Sequence, residues 1–258
     1  MKAHPTAIID PGAKIACSVT VGPYTIIGEG VELGDDCEVM SHVVLSGPTK
    51  IGKRNRIFPY SSIGLDPQDL KYHGESTRLE IGDGNVFREF VTVHRGTEGG
   101  GGVTRVGNNN LLMAYVHIAH DCQLGDGIVM ANGASLAGHV EIGSYAILGA
   151  FCGAHQFIRI GAHSFIGAFS ALNKDILPYS KSTADRPVRV LGANRIGLER
   201  FGLHKEDLDE LEAAFRLLCR SKLNTAQAVE AIISRGFQSA HVKALVEFIR
   251  RSERGVVK

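Results

Sequence analysis

The sequence predicts an all-β parallel β-helix of hexapeptide repeats, followed by a small α-helical C-terminal domain. Three observations predict it. Aliphatic residues recur at every sixth position over most of the chain. Glycine is abundant, at 31 of 258 residues, while tryptophan is absent. After residue 195 the apolar spacing becomes helical. A period of six is neither the 3.6 of a helix nor the plain alternation of a strand. It encodes a short strand, a corner and the next strand. Three such units close one coil of a triangular prism, so a coil takes about 18 residues.

The register begins at Ile9 and runs through Ile15, Val21, Ile27, Leu33, Val39, Leu45, Ile51 and Ile57 to Ile63. The segment LDPQDLKYHGESTR interrupts it, and it resumes at Ile81, Phe87 and Val93. A second interruption contains Gly99 to Gly102. The register then continues from Val106 to Leu172 with Ala154 as its one small member. The fourth residue after the aliphatic is usually slim, as at Ala13, Val19, Thr25, Cys37, Ala134 and Cys152, which suits walls that converge. Stacked coils pair their backbones at ordinary strand spacing of about 4.8 Å. Cys37, Cys122 and Cys152 are therefore expected as core fillers and not as nucleophiles. The interruptions are expected as surface loops at a binding face. Residues 65–78 are rich in polar side chains, and EGGGG reads as mainly flexible.

The repeat stops near Asp175, and residues 176–195, with Pro178 and Pro187, read as a connector. Leu208, Leu211, Phe215 and Leu218 then mark a helix. A second starts at Thr225, with Asn224 or Thr225 as cap and Gly236 as stop, and a third spans about Ala240 to Arg251. The boundary is placed at 1–185 for the β-helix and 186–258 for the helical part.

Composition limits the function. The formal net charge is +1, which argues against general nucleic-acid binding. Residues 186–258 hold 14 Lys/Arg and 9 Asp/Glu, whereas the remainder is net acidic. Five cysteines with no C-x-x-C fit a reducing compartment. No apolar run reaches the roughly 18 residues of a membrane span, and the N-terminus does not resemble a signal peptide. A cytoplasmic protein is expected.

Six of the eleven histidines fall between residues 94 and 163. With an 18-residue coil, His120, Gly138 and Gln156 stack on successive coils, beside His117, His139 and His155. Three readings of this patch stay open on spacing alone. The histidines are structural, or His120 is a general base oriented by Asp121 with the Gly138 N–H facing a developing oxyanion, or three histidines bind zinc.

The segments QDLKY (Gln68–Tyr72), HRGT (His94–Thr97), HIAHDC (His117–Cys122), LAGHV (Leu136–Val140), HQF (His155–Phe157) and IGAHSF (Ile160–Phe165) together resemble the UDP-N-acetylglucosamine 3-O-acyltransferase family, over essentially the whole chain. The resemblance implies a left-handed β-helix in a homotrimer with active sites between subunits. It implies transfer of a (3R)-3-hydroxyacyl chain from acyl carrier protein to the 3-hydroxyl of UDP-N-acetylglucosamine, the first step of lipid A biosynthesis, with no metal or organic cofactor. By that resemblance His120 is the base, Asp121 orients it and Gly138 N–H stabilises the tetrahedral intermediate. Asp69, Lys71, His117, His139, His155 and Gln156 line the substrate pocket, Asn194 and Arg200 hold the nucleotide, and Ala168 stands at the acyl-length ruler. Ile196 and Phe201 depart from the family pattern, replacing an acid and a second base. Competing readings are the related N-acyltransferase, a zinc carbonic anhydrase on the same scaffold, and a catalytically silent scaffold.

Overall fold

The structure is a computed structural model that describes residues 1–185 and 187–258. Among the described residues, the strands of the prism form three sheets of eleven, nine and eight members, stacked almost wholly in parallel. Residues of successive coils pair at a separation of 18, as in Thr20 with Glu38 and Ile26 with Val44. The separation widens to 30 between Ile57 and Phe87, and to 25 between Val93 and Ile118. Those two coils carry the interruptions, so the insertions bulge from the prism without shifting the aliphatic stack.

The inward positions form a continuous core. Ile27, Leu45, Ile63, Val93, Ile118 and Leu136 are buried one above another, each contributing about 1.5–3 kcal/mol by leaving water. The slim positions are buried beside them, and Cys37, Cys122 and Cys152 each donate Sγ–H to a carbonyl on the next coil, those of Gly52, Ala137 and Gly167. Burial pushes the Cys122 thiol up to about 12, so it stays a thiol. Around the insertions this stack becomes an asparagine ladder. Asn85 donates from Nδ2 to Asn55 Oδ1 at 3.0 Å, and Asn110 N donates to Asn85 Oδ1 at 2.9 Å. Corners turn on residues with φ near +60°, among them Tyr115, Asp121, His139 and Phe157.

The outer faces differ. The third sheet carries alternating charges, with Lys14 paired to Glu32 at 2.7 Å and Arg105 to Glu80 at 2.9 Å. The first sheet turns apolar in its later coils, at Val86, Leu111, Val129, Ile147 and Phe165. Along the edge between the first and second sheets runs an exposed aromatic column: Tyr24, His42, Tyr60, Phe90 and Tyr115, with neighbouring ring centroids 4.8–5.2 Å apart.

The connector is more ordered than its prolines indicate. Ser180–Ser182 and Val190–Ala193 form an antiparallel pair that ends the first sheet. The placed boundary falls at Arg186, which lies outside the described residues. A short helix α1 (Arg195–Phe201), not expected from the spacing, precedes α2 (Lys205–Cys219), α3 (Thr225–Ser234) and α4 (Ala240–Arg250). Asn224 caps α3 in a reciprocal capping box with Gln227. Helix α2 packs on the Val190–Ala193 strand, burying Leu208, Leu211, Phe215 and Leu218. The tail returns to the prism at Asp175, whose carboxylate accepts from Ser252 Oγ at 2.7 Å and whose carbonyl accepts from Val257 N. No described helix is long and apolar enough to cross a membrane.

Candidate active site

The corner between the second and third sheets holds Asp121, His139 and Phe157 on successive coils. His139 N donates to the His120 carbonyl and Phe157 N to the Gly138 carbonyl. His120 precedes the corner and turns its imidazole over Gly138 of the next coil. A β-carbon on Gly138 would lie 2.5 Å from His120 Cε1 and 2.8 Å from Nε2. The missing side chain is thus the space the ring occupies. Gly138 is itself buried, and among the described residues its amide N–H has no acceptor.

His120 Nδ1 lies 2.7 Å from Asp121 Oδ2. A buried carboxylate accepts here, so Nδ1 donates, and in the neutral tautomer that this bond selects Nε2 is the acceptor, beside Gly138. Asp121 is almost fully buried. Burial alone would raise its pKa, but hydrogen bonds from His120 and Thr97 outweigh that and hold it below the ordinary carboxylate value. Thr97 supplies two of those bonds, from its N–H to Oδ1 at 2.8 Å and from its Oγ–H to Oδ2 at 2.6 Å.

The HRGT segment ties both insertions to this corner. His94 Nδ1 meets the Asp66 carbonyl. The Arg95 guanidinium is buried and donates to the carbonyls of Gly47 and Gly64, to the Asp66 carboxylate and to the Tyr72 hydroxyl. The loop carrying Asp69 and Lys71 hangs from that anchor. Asp69 Oδ1 accepts from Lys71 N in a local turn, and the Asp69 charge is felt at His139. The second insertion is not the flexible linker its glycines indicate. Glu98–Gly100 form a 3₁₀ turn, and Gly102 N returns to the Thr97 carbonyl at 2.8 Å.

The expected pocket residues separate into groups. His117 lies on the second sheet, its Nδ1 2.8 Å from Thr92 Oγ1, and burial pushes it down to about 4, so it is neutral at physiological pH. His139 stands 3.7 Å from Asp121 Oδ2, and burial lowers its pKa against the pull of that carboxylate. His155 and Gln156 sit one coil further on, both exposed, with Arg254 Nη1 3.4 Å from His155 Nδ1. A cleft of about 680 Å³ joins Asp121 and His139 to Phe157, Arg159, Arg251 and Arg254. Arg254 on the C-terminal tail carried no sequence signal, because only the return of the tail to Asp175 brings it here.

Asn194 and Arg200 are not brought to His120 within the chain. Asn194 donates from Nδ2 to the His163 carbonyl, and Arg200 sits in the last turn of α1. Phe201 packs on Tyr145 and His163, at 4.6 and 4.4 Å between ring centroids, so the departure from a basic residue is filled by an aromatic contact. Ile196 is exposed. Ala168 lies against Gly149 on the preceding coil, next to exposed Phe169.

No three histidines among the described residues come together as one ligand set. Among the described residues, one group of potential ligands lies within 4.8 Å, namely His120, Asp121 and His139. The two oxygens of Asp121 already accept from Thr97 and His120, so a cation there would displace those bonds.

Residues 175–257 match the family profile described as Udp N-acetylglucosamine O-acyltransferase, domain 2, and residues 104–138 match that of the bacterial transferase hexapeptide (six repeats). An acyl-[acyl-carrier-protein]–UDP-N-acetylglucosamine O-acyltransferase of Thiobacillus denitrificans is 48% identical over 255 residues, which cover 99% of this chain and 98% of that one. Its counterpart in Saccharophagus degradans is 49% identical over the same length. The crystal structure of UDP-N-acetylglucosamine O-acyltransferase from Moraxella catarrhalis superposes with a TM-score of 0.96 at 44% identity, covering 100% of both chains. The Arabidopsis enzyme does so at 0.87 and 31%, covering 99% of each.

Proposed function

Because this chain belongs to the UDP-N-acetylglucosamine O-acyltransferase family of enzymes, we propose that it acylates the 3-hydroxyl of UDP-N-acetylglucosamine from a (3R)-3-hydroxyacyl-acyl carrier protein, opening lipid A biosynthesis in the cytoplasm. The observation that carries this reading is the His120 ring, held at Nδ1 by Asp121 and lying over Gly138.

In the proposed reaction, His120 Nε2 takes the proton of the sugar hydroxyl as its oxygen attacks the thioester carbon. The oxyanion of the tetrahedral intermediate accepts a hydrogen bond from Gly138 N–H. Collapse breaks the C–S bond, and the imidazolium returns the proton to the leaving sulfur. Asp121 remains a carboxylate and stabilises the imidazolium. Asp69, Lys71, His117, His139, His155 and Gln156 form the polar walls in this scheme, with Ala168 closing the acyl slot. No cofactor enters it.

Asn194 and Arg200 belong to this site only if a second chain supplies them. We therefore read the enzyme as a left-handed β-helix homotrimer, with the boundary between prism and helical domain near residue 186. The apolar outer positions of the first sheet and the exposed aromatic column beside it support assembly through that edge.

Mass spectrometry of the product from UDP-N-acetylglucosamine and a mixture of 3-hydroxyacyl carrier proteins tests the proposal. The expected product is a mono-O-acylated nucleotide sugar, and His120→Ala reduces its formation about 10²–10⁴-fold. Undiminished transfer by His120→Ala would remove the base mechanism. An N-acylated product would move the chain to the other acceptor class.

A further inference from the structure

The second insertion does something that neither the repeat nor the catalytic corner requires. Asp121 has two oxygens, and Thr97 donates to both of them, N–H to Oδ1 and Oγ–H to Oδ2. Two donors from one residue fix the plane of the carboxylate, a torsion that is otherwise broad. The Asp121 backbone is fixed as well, because its N–H donates to Thr104 Oγ1 at 2.8 Å. Gly100, at the end of the 3₁₀ turn, lies so close that a β-carbon there would stand 2.0 Å from Asp121 Cγ and 2.3 Å from each oxygen. The glycine-rich loop therefore lies directly against the carboxylate.

Two imidazoles approach Oδ2, His120 Nδ1 at 2.7 Å and His139 Nε2 at 3.7 Å. Their rings are 5.2 Å apart and nearly perpendicular. Which of them becomes the imidazolium partner depends on how the carboxylate is turned.

We propose that Thr97, backed by Gly100, is a positioning residue that locks the Asp121 carboxylate toward His120 and away from His139. The chemical meaning of the lock rests on the general-base reading of His120. Its physical content, the choice of hydrogen-bond partner, does not. Other charged or titratable groups facing the pair are His94 and His117 on the second sheet, Asp69 in the first insertion, and Glu141, Arg159, Asp175, Arg251, Glu253 and Arg254 around the cleft. None of these donates to Asp121 among the described residues, so apart from His120 the donors to the carboxylate both come from Thr97.

The test uses the full-length enzyme. Thr97→Val removes the Oγ–H donor and keeps the backbone donor and the branched shape, while Thr97→Ser restores the hydroxyl. Thr97→Val is expected to lower kcat about 10- to 100-fold with both KM values within about threefold, and Thr97→Ser to recover most of the loss. Without the second donor, Oδ2 is more basic and favours the protonated imidazole, so the acid limb of the pH–rate profile moves to higher pH. The downfield Nδ1–H proton resonance of the His120–Asp121 bond, read by NMR independently of turnover, changes in Thr97→Val and returns in Thr97→Ser. Gly100→Ala, which presses on the carboxylate with Thr97 intact, gives the same readouts should Thr97→Val not fold. Unchanged kcat, pH profile and resonance would overturn the lock. A wild-type chain that transfers no acyl group would overturn the function while the resonance still tests the lock.

Discussion

The imidazole of His120 fills the space above Gly138 that any other residue's β-carbon would occupy, with Cε1 2.5 Å and Nε2 2.8 Å from that point. A glycine conserves the backbone and vacates a volume, and both matter here. In the proposed reaction the buried Gly138 N–H and His120 Nε2 serve the same acyl-transfer step. Gly138→Ala is expected to leave the thermal unfolding midpoint within a few degrees of wild type and to reduce kcat at least about 100-fold, since the methyl displaces the base. Full activity in Gly138→Ala would show that the ring does not need this site.

Arg95 should control the nucleotide-sugar affinity from a distance. Its guanidinium holds Asp66 and Tyr72 at the root of the loop carrying Asp69 and Lys71. Arg95→Met strands several buried acceptors and should cost about 2–4 kcal/mol of stability in denaturant unfolding. It should also raise KM for UDP-N-acetylglucosamine more than it lowers kcat. A normal KM in a folded Arg95→Met enzyme would refute the link.

His117 should make the fold acid-sensitive. Burial lowers its pKa from 6.5 to about 4. As pH falls through that window the unfolded chain takes up the proton first, so stability present above pH 6.5 is lost progressively down to about pH 4. Thermal unfolding from pH 7 to pH 4 should fall more steeply for wild type than for His117→Asn. Parallel curves would contradict the shift.

Arg251 and Arg254 line the cleft, and among the described residues neither has a carboxylate within 4 Å. Ring-to-ring steps of 5.2 and 4.2 Å lead from His120 through His139 to Phe157, and Arg254 lies 5.9 Å from the Phe157 ring. Arg254→Gln should raise KM for a phosphate-bearing substrate about tenfold with kcat little changed. Varying the nucleotide sugar at fixed acyl carrier protein, and then the reverse, reports which of the two substrates Arg254 binds. An effect on kcat alone would contradict a binding role.

Ala168 beside exposed Phe169 should shorten the acyl slot. Ala168→Gly is expected to shift the preference toward longer 3-hydroxyacyl chains in a competition assay, each added methylene being worth about 1–3 kcal/mol in kcat/KM. An unshifted distribution would place the end of the slot elsewhere.

The coil was legible because every sixth side chain must enter one narrow core, and a constraint repeated that often survives local variation. Ile118, Leu136 and Ala154 stack as spacing alone requires. The same arithmetic set Gly138 one coil from His120. What the spacing missed lies where the period is broken. Glycines 99 to 102 read as flexible, yet they fold onto the Thr97 carbonyl and against Asp121. The strand pair around Pro187 was hidden by its prolines, and α1 was too short to show a periodic face.

By itself, the sequence determined the parallel stack, the core residues, three of the four helices among the described residues and the adjacency of His120 to Gly138, because all of these follow from regular residue separations, six in the prism and three or four in the helices. Only the tertiary structure decided how the insertions and the tail close over that corner. Thr97 reaches Asp121 across 24 residues, Arg95 reaches the Gly47 carbonyl across 48 and Arg254 reaches His155 across 99. Contacts at such irregular separations are set by packing in three dimensions, and no periodicity along the chain encodes them.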